Sequence, residues 1–329
     1  MITDELFEKV LLNPVHQGAN NLYVVSGYAS ATMASYHLER LLEISKNVTI
    51  NLIVGMASHE GISKSNHQLF KTLMGNIYPQ NFDCRYITDN RLQVHSKVYT
   101  WCKDDTPLYA FVGSANYTNN GFLVATRQEA MGECSAVSSL AYFRQLINNS
   151  TECNNIAIED FVTIYLDRPY SHSKKPKLKS TTTDVTNNQI NLVDLSHVKI
   201  DLLSDGTLPQ RSGLNWGQRP KRDSNQAYIK IPSDIYKTDF FPERKIHFSV
   251  LTDDNQTLIC TRAQDNGKAI HTPFDNSLLG RYFRKRLGLS SGVLVTEEDL
   301  LRYGRTDIDF YKITDDTYFM DFSVSNKNP

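Results

Sequence analysis

Apolar runs rich in β-branched and aromatic residues alternate with segments of helical periodicity through the first half of the chain. Strands are predicted in the segments LYVVSGY, VTINLIVG, 83–88, QVHSKVYTW, LYAFVGS and QEAMGECSAV. Helices are predicted near 3–12, 31–46, 66–75 and 138–148. Because strands that alternate with helices are typical of α/β domains, we expect residues 1–168 to form a mixed, largely parallel sheet flanked by helices.

A different pattern begins after residue 168. Residues 169–187 contain prolines, a cluster of lysines and a Ser/Thr/Asn-rich run but almost nothing apolar, which predicts an exposed linker. From residue 188 to residue 329, short apolar runs separated by turn residues predict a mostly β domain, either an antiparallel barrel or a sandwich. One helix is expected in LLGRYFRKRLG, with its charged residues facing solvent.

Composition and charge narrow the class of protein. The 329 residues fit two domains of about 150 residues each, and 40% hydrophobic content excludes intrinsic disorder. No apolar run reaches the ~18 residues of a membrane span, and the start MITDELFEKV has no signal-peptide pattern, so we expect a cytoplasmic protein that does not bind membranes. Five scattered cysteines without ligand spacing predict free thiols and no metal site. A net charge of −1 leaves room for a local basic groove.

Two residues suited to phosphate chemistry lie in the predicted strand QVHSKVYTW. His95 and Lys97 are two positions apart, and residues i and i+2 of a strand project from the same face. An imidazole there can act as nucleophile or general acid, while an ammonium neutralises phosphoryl oxygens. The pair alone is a weak signal, because so short a spacing also arises by chance.

The next segment, FVGSANYTNNGFLVATRQEAM, strengthens that signal. Residues 113–116 predict a tight turn after a strand, in which main-chain N–H groups, the Ser114 hydroxyl and the Asn116 amide can donate to an anion. Glu129 follows Asn116 by thirteen residues, and its carboxylate is a candidate to hold the second ring nitrogen of His95. Together these residues predict a phosphodiesterase site.

The combination of H-x-K, G-S-A-N-x-T-x-x-G and a later glutamate resembles the signature of the phospholipase D superfamily. The resemblance implies that His95 is the nucleophile, that Lys97, Ser114 and Asn116 contact phosphate, and that Glu129 orients the histidine. It further implies a phosphohistidine intermediate and no metal or other cofactor. The superfamily's site uses two histidines and this chain carries one motif, so a homodimer through the N-terminal domain is implied. Cys102 stands where the family has an aspartate, which puts that aspartate's structural role in doubt.

Two polar loops in the second half carry side chains that read or position nucleic acids. The first contributes Arg211, Asn215, Trp216, Arg219, Lys221 and Arg222. The second, around a D-N-G turn, contributes Arg262, Gln264, Asp265, Asn266 and Lys268. Arginine reads guanine and asparagine reads adenine, whereas lysine tends to position phosphates. Either loop alone could be ordinary surface, but two of them behind a phosphodiesterase motif favour a DNA-binding domain.

The second half also resembles the B3-like DNA-binding domain of phospholipase D-type restriction endonucleases of the NgoFVII/NgoAVII group, with BfiI a more distant relative. The resemblance lies in the segments SGLNWGQR, AYIKIP, LLGRYFRKRLGL and RYGRTDIDFYKI. It implies a pseudobarrel with two arms, residues 211–222 and 262–268, that grip the major groove of double-stranded DNA.

The resulting hypothesis is a type II restriction endonuclease, a site-specific deoxyribonuclease that works beside a cognate DNA methyltransferase. The resemblance also implies that some members of this branch act with a separate helicase-like ATPase. This chain has no G-x-x-x-x-G-K-[ST] loop, so any ATP dependence would come from such a partner. Two alternatives stay open. One is a lipid or other phosphodiesterase of the superfamily, and the other is a DNA-binding protein whose nuclease domain serves only as a dimerisation scaffold.

Overall fold

The computed structural model describes residues 1–124, 126–167 and 191–324. The chain divides into two units, Met1–Leu166 (unit 1) and Asp167–Pro329 (unit 2). The linker predicted at 169–187 lies outside the described residues.

Unit 1 is built on a mixed seven-stranded sheet. The strands of unit 1, including two outside this sheet, are β1 (Asn21–Ser26), β2 (Thr49–Val54), β3 (Ile62–Ser63), β4 (Phe82–Ile87), β5 (Lys97–Lys103), β6 (Thr106–Gly113), β7 (Met131–Glu133), β8 (Ser150–Glu152) and β9 (Ile164–Tyr165). The order across the main sheet is β7-β6-β5-β1-β2-β4-β8, and β3 pairs separately with β9. The α-helices are α1 (Asn13–His16), α2 (Ala31–Ile44), α3 (Ala57–Glu60), α4 (Lys64–Thr72), α5 (Asn119–Phe122) and α6 (Ala136–Ile147). Other helical turns are Phe7–Leu12, Leu73–Ile77 and Ile158–Asp160.

Only part of this sheet is parallel, so the prediction of a largely parallel sheet was wrong. Strands β1, β2 and β4 run parallel because helices provide the crossovers between them. Strands β5 and β6 pair antiparallel because only two residues separate Lys103 from its partner Thr106. The first of these two residues, Asp104, has a φ of 53°, a conformation that aspartate tolerates in tight hairpin turns.

Helix α6 covers one face of the sheet. Phe143 and Leu146 of α6 pack with Val25 of β1 and Ile53 of β2 in a buried cluster. Each apolar side chain of this size contributes roughly 1.5–3 kcal/mol when it is removed from water. The packing ties β1 and β2 to α6 through a buried apolar cluster.

Unit 2 contains a second seven-stranded sheet that is nearly closed, as in a pseudobarrel, and it is antiparallel except between β12 and β16. Its strands are β10 (His197–Asp201), β11 (Ile229–Lys230), β12 (His247–Thr252), β13 (Thr257–Ala263), β14 (Ala269–His271), β15 (Asp307–Lys312) and β16 (Thr317–Asp321). They are ordered β10-β15-β16-β12-β13-β14-β11. The α-helices are α7 (Ser233–Tyr236), α8 (Ser277–Arg286) and α9 (Glu297–Tyr303). Helical turns lie at Leu192–Asp194, Gly213–Gln218 and Asp265–Gly267.

The basic residues of α8 do not all face solvent, which corrects the expectation for RYFRKR. Arg284 is buried and donates from Nε to the carbonyl of Val293 (2.7 Å). Arg286 makes two parallel bonds to the Asp253 carboxylate, each 2.7 Å, and donates to the Tyr303 hydroxyl (2.6 Å). Both side chains of the Arg286–Asp253 pair are only 13% exposed. The pair therefore ties α8 to the end of β12 inside unit 2.

Candidate functional site

The predicted catalytic residues meet at one end of the sheet of unit 1, where β1 ends, β5 begins and β6 ends. Lys97, the first residue of β5, lies opposite Ser26, the last residue of β1. On its other side β5 pairs with β6, with Val98 opposite Val112. The turn that follows β6 therefore begins beside Lys97, and the sheet brings the H-x-K pair and the 113–116 turn together.

His95 lies before β5 rather than within it, so the prediction that one strand holds both motif residues was wrong. The side chain of His95 is exposed and that of Lys97 is buried. Even so, the Lys97 ammonium donates to the carbonyl oxygen of His95 (2.7 Å), and its Nζ lies 3.1 Å from Nδ1 and 3.4 Å from Nε2 of the ring. Burial lowers the pKa of Lys97, and the charge of the nearby Glu129 opposes this shift.

Two glycines let the segment before β5 pass close to neighbouring strands. A Cβ atom at Gly55 would lie 1.9 Å from the carbonyl oxygen of Val94, and one at Gly27 would lie 3.0 Å from Cδ2 of His95. The N–H of Gly27 also donates to the carbonyl of Ser96 (3.1 Å). Since any other residue would push the segment away, these glycines fix the place of His95.

Ser114 and Glu129 are hydrogen-bonded to each other. The Ser114 hydroxyl donates to the Glu129 carboxylate and accepts from the N–H of Ala130 (3.0 Å). Among the described residues, the hydrogen bond to Nδ1 of His95 comes from Lys97. Orientation of His95 by Glu129 therefore stays a prediction, while the position of Glu129 beside Lys97 and Ser114 is a property of the structure.

Asn116 is held by the main chain that follows β1. Its Oδ1 accepts from the N–H of Tyr28 (3.2 Å), which assigns Nδ2 as a donor, and no acceptor for Nδ2 lies among the described residues. The turn itself is braced by the hydroxyl of Tyr99, which donates to the carbonyl of Ala115 (2.7 Å). Gly121 lets α5 close against it, because a Cβ there would lie 2.2 Å from the carbonyl of Asn116. The Asn116 amide is thus fixed and available to an anion.

A buried chain of hydrogen bonds supports the same turn from the core. The Tyr117 hydroxyl donates to Nδ1 of His37 (2.8 Å), and Nε2 of His37 donates to the carbonyl of Leu11 (2.9 Å). Burial lowers the pKa of His37 to about 4. The ring is therefore neutral at pH 7 and serves as a core residue with both nitrogens bonded.

Sequence reasoning missed Tyr28, which contacts the nucleophile candidate. The ring centroids of Tyr28 and His95 are 5.5 Å apart, at an interplanar angle of 82°. The Tyr28 hydroxyl donates to Oε1 of Glu60 (2.6 Å), the last residue of α3. The sequence position of Tyr28 could have indicated this role, because it follows the carboxyl end of a parallel strand, where α/β sheets place residues that contact ligands.

The structure gives no local replacement for the aspartate that the family motif has at position 102. Cys102 is buried within β5. Asp104 lies in the hairpin turn, where its Oδ1 accepts from Nδ2 of Asn20 (2.9 Å). Because that turn and Lys97 are at opposite ends of β5, neither Asp104 nor Asp105 belongs to the site.

The described part of the chain shows no feature of a metal centre or of a membrane span. No group of three or more His, Cys, Asp or Glu side chains in it is arranged to hold a metal ion. None of its helices is both long enough and apolar enough to cross a lipid bilayer.

The first predicted arm, residues 211–222, places most of its candidate side chains at the surface of unit 2. The exposed ones are Arg211, Arg219, Lys221 and Arg222. The guanidinium of Arg222 is stacked on Trp216, with Cζ 3.9 Å from the ring centroid. Its Nη1 donates to Oε1 of Gln226 (2.9 Å), so two contacts fix this side chain in advance of binding.

Asn215 was predicted to contact DNA, but it is fully buried. Its amide nitrogen donates to the carbonyls of Val295 (2.8 Å) and Pro209 (3.1 Å), and its Oδ1 accepts from the N–H of Val295 (2.9 Å). Through these hydrogen bonds Asn215 connects the first arm to the segment that contains Val295. It does not face a base.

The second predicted arm, residues 262–268, is a strained turn with a buried arginine beneath it. Asp265, Asn266 and Lys268 are exposed and Gln264 is half-buried. Gln264 and Asn266 have φ values of 63° and 59°, in the left-handed region that most side chains avoid. These four side chains are the part of the arm that is open to a ligand.

Arg262 was predicted to contact DNA, but the structure places it below the arm. It is 7% exposed and donates to five main-chain carbonyls, those of Tyr236, Phe241, Pro242, Asn266 and Gly267. A guanidinium has five N–H groups, and all of them face these acceptors. Arg262 therefore shapes the arm and is not available to DNA.

Comparison with known proteins identifies both units. A family model described as the NgoFVII restriction endonuclease N-terminal PLD domain matches residues 4–160, and one described as the NgoFVII C-terminal B3-like DNA-binding domain matches residues 190–328. No curated protein sequence matches the chain.

Solved structures match part of the chain with low TM-scores. NucT from Helicobacter pylori is 13% identical, covers 46% of this chain and 96% of its own, and has a TM-score of 0.32. Nuc from Salmonella typhimurium, a phospholipase D family member, is 13% identical over 43% of this chain and 87% of its own, also with a TM-score of 0.32. The two family matches together span nearly the whole sequence. The chain belongs to the NgoFVII restriction endonucleases, DNA-cleaving hydrolases with a phospholipase D-type nuclease domain and a B3-like DNA-binding domain.

Proposed function

We propose that this chain is a sequence-specific type II restriction endonuclease that hydrolyses DNA without a metal ion, through a phosphohistidine, at a site completed by a second copy of the chain. One observation carries the proposal. An exposed imidazole, a buried ammonium and a fixed amide donor converge at one sheet end. Family membership favours DNA as the substrate over a lipid.

In the first step a ring nitrogen of His95 attacks the scissile phosphorus. A P–N bond forms, the P–O bond to one nucleotide breaks, and the rest of the strand stays attached to the histidine. The departing oxygen needs a proton, which a second imidazole on the opposite side of the phosphorus can donate. Of the H-x-K triplets in the sequence, the one at His95 and Lys97 is followed by G-S-A-N-x-T-x-x-G, so each chain carries one copy of the full motif and we assign that role to His95 of a second copy.

In the second step water attacks the same phosphorus while the second His95 takes up its proton. The P–N bond breaks, and the enzyme returns to its starting state with a phosphate monoester on the DNA. Lys97 and the Nδ2 group of Asn116 would stabilise the equatorial oxygens in both steps. This is the charge neutralisation that metal ions supply in other phosphodiesterases.

A covalent protein–DNA adduct is the expected product when the reaction is stopped early. A cleavable duplex, labelled on the strand that stays attached, should give a labelled protein band when quenched in alkaline denaturant, because phosphohistidine survives base and decomposes in acid. The band should form equally well with a strong chelator present and should be missing in His95→Ala. Cleavage that stops in chelator and resumes with added Mg²⁺ would refute the metal-free step.

Mixed dimers test the shared site within the same experiment. Wild-type and His95→Ala chains, unfolded together and refolded at equal amounts, form dimers at random. If both histidines serve one site, activity falls to about one quarter, whereas independent sites would leave about one half. A value of one half would overturn the shared site and leave the nuclease assignment standing.

Replacing Arg222 by alanine is expected to weaken binding to the cognate sequence by about 1–3 kcal/mol and to relax the choice at one base pair. The side chain is exposed and held by Trp216 and Gln226, so little freedom is lost when it bonds a base. The measurement is a titration at fixed salt against duplexes that each carry one changed base pair.

Lys221→Ala is the matched control, since Lys221 is the exposed neighbour of Arg222. It should weaken all duplexes alike and reduce the salt slope by about 1, as expected for a phosphate contact. If both variants lose affinity uniformly, the first arm positions the DNA and does not read it.

We further infer a cytoplasmic setting that includes a cognate DNA methyltransferase. A nuclease that recognises a short sequence also meets it in host DNA, so that sequence must be protected. Some members of this branch act with a separate helicase-like ATPase. Cleavage of cognate DNA by the purified chain alone, without ATP, would show that this one needs no such partner.

A further inference from the structure

Tyr28 contacts both halves of the candidate active site. Its ring lies edge-to-face against the His95 ring, with centroids 5.5 Å apart. Its N–H donates to Oδ1 of Asn116 (3.2 Å). One residue at the end of β1 therefore touches the nucleophile candidate through its side chain and the anion-binding amide through its main chain.

The Tyr28 side chain is fixed at its outer end. Its hydroxyl donates to Oε1 of Glu60 (2.6 Å), and this hydrogen bond to the carboxylate raises the pKa of Tyr28 to about 12. The phenol is therefore protonated at neutral pH and can donate to the carboxylate. The main chain is fixed as well, because the Ser26 hydroxyl donates to the carbonyl of Tyr28 (2.6 Å). The ring has little freedom to turn away from His95.

Glu60 is otherwise difficult to explain at this place. It is exposed and lies one hydrogen bond away from a ring that contacts His95, so its charge repels an approaching DNA phosphate. A carboxylate is unfavourable at the entrance of a phosphodiesterase site unless it does something that offsets the repulsion. Accepting the Tyr28 hydroxyl is the interaction that the structure shows.

We propose that Tyr28, held by Glu60, is a positioning residue that keeps the His95 imidazole in the orientation from which its nitrogen attacks phosphorus. The inference rests on the proposed role of His95. An exposed histidine turns broadly about its second side-chain torsion, so it needs neighbours to select one orientation. Lys97 bonds Nδ1 of the ring, and the Tyr28 ring packs against it. Small misplacements of a nucleophile are costly, because about 1 Å can reduce the rate 100-fold.

The test compares Tyr28→Phe, Glu60→Ala and Glu60→Gln by single-turnover cleavage over a range of DNA concentrations. Tyr28→Phe and Glu60→Ala remove the hydrogen bond and should lower the maximal rate about 10-fold, with the half-saturating DNA concentration within about 2-fold. Glu60→Gln keeps an oxygen acceptor and should restore the wild-type rate. Because it removes a negative charge, it should also lower the half-saturating concentration at low salt.

Tyr142→Phe is the matched control. The Tyr142 hydroxyl is 2.9 Å from the hydroxyl of Ser96, the residue after His95, so the same chemical group is removed beside the motif without touching the imidazole. This variant should cleave at the wild-type rate. Thermal melts of all four variants separate a lost orientation from a loss of folded protein, since the proposal expects similar melting temperatures.

Four results would overturn the positioning role. These are a wild-type rate in Tyr28→Phe, an equal loss in Tyr142→Phe, a Glu60→Gln variant as slow as Glu60→Ala, and a change confined to the half-saturating concentration. Failure of the proposed function would give another result, namely a His95→Ala variant that still cleaves DNA. If His95→Ala is inactive while Tyr28→Phe cleaves at the wild-type rate, the positioning role is rejected and the proposed function still stands.

Discussion

Replacing His95 by alanine should lower the rate of DNA cleavage by about 10⁴-fold or more and leave DNA binding nearly unchanged. The substitution removes the attacking nitrogen from one chain and the proton donor from the other, so neither chemical step can proceed as proposed. His95 is exposed, and its ring contacts are with Lys97 and Tyr28, so the fold should tolerate the change. Binding should persist because the arms of unit 2 do not involve this residue.

The measurement is single-turnover cleavage beside a binding titration in the same buffer, since affinity for DNA depends strongly on salt. His59→Ala is the matched control. His59 is also exposed and lies in α3, with Nδ1 3.5 Å from Nε2 of Gln93, so the same side chain is removed beside the site. It should cleave normally. If His95→Ala cleaves as well as His59→Ala, His95 is not the nucleophile and the catalytic proposal fails.

Asp253→Ala should reduce the free energy of unfolding of unit 2 by about 3–5 kcal/mol. Burial by itself would lower the pKa of Arg286, but its hydrogen bonds to Asp253 raise it, so the guanidinium is charged in the folded state. Removing the carboxylate leaves that charge only 13% exposed without its bidentate partner. The N–H of Phe322 also loses its acceptor on Asp253 (3.1 Å).

Unfolding in urea is best followed by tryptophan fluorescence. The chain has two tryptophans, so a Trp101→Phe background leaves Trp216 as a reporter of unit 2 alone. Asp315→Ala is the control, because Asp315 pairs with Lys312 at 3.3 Å while its side chain is 46% exposed. Exposed pairs of this kind contribute about 0–1 kcal/mol. Equal losses in the two variants would show that Asp253 and Arg286 are not a buried pair in energetic terms.

The order of elements in unit 1 was predictable because its strands are apolar runs and its helices have a clear period. Strand direction was not read from the same pattern. The two residues between β5 and β6 are too few for a crossover connection, so they indicate an antiparallel hairpin. Taking this into account would have changed the prediction of a largely parallel sheet. The start of β5 was missed for another reason. Residues before Lys97 alternate like a strand, but Val94 is buried against the α6 face and its carbonyl lies over Gly55.

The motif residues of the candidate site were predictable because their types are tied to one chemistry. The arms were harder, because local sequence does not tell a buried arginine from an exposed one. Arg262 and Arg222 both lie within or beside polar, glycine-containing stretches of the sequence. What separates them is a set of acceptors distant along the chain, since Arg262 bonds the carbonyls of Tyr236 and Pro242. Asn215 is a similar case, with Val295 as its partner.

The buried guanidinium of Arg262 has a consequence for altering the specificity of this enzyme. Its bonds go to main-chain carbonyls, which every amino acid supplies, so exchanging the exposed side chains of the second arm leaves those bonds in place. Gly267 must stay, because a Cβ there would lie 2.9 Å from Nε of Arg262. The shape of the arm and the chemistry of its surface are thus encoded by different residues. A library that randomises positions 265 and 268, while Arg262, Gly267 and the positive-φ residues Gln264 and Asn266 are kept, tests whether the exposed surface of this arm sets the target sequence on one unchanged backbone.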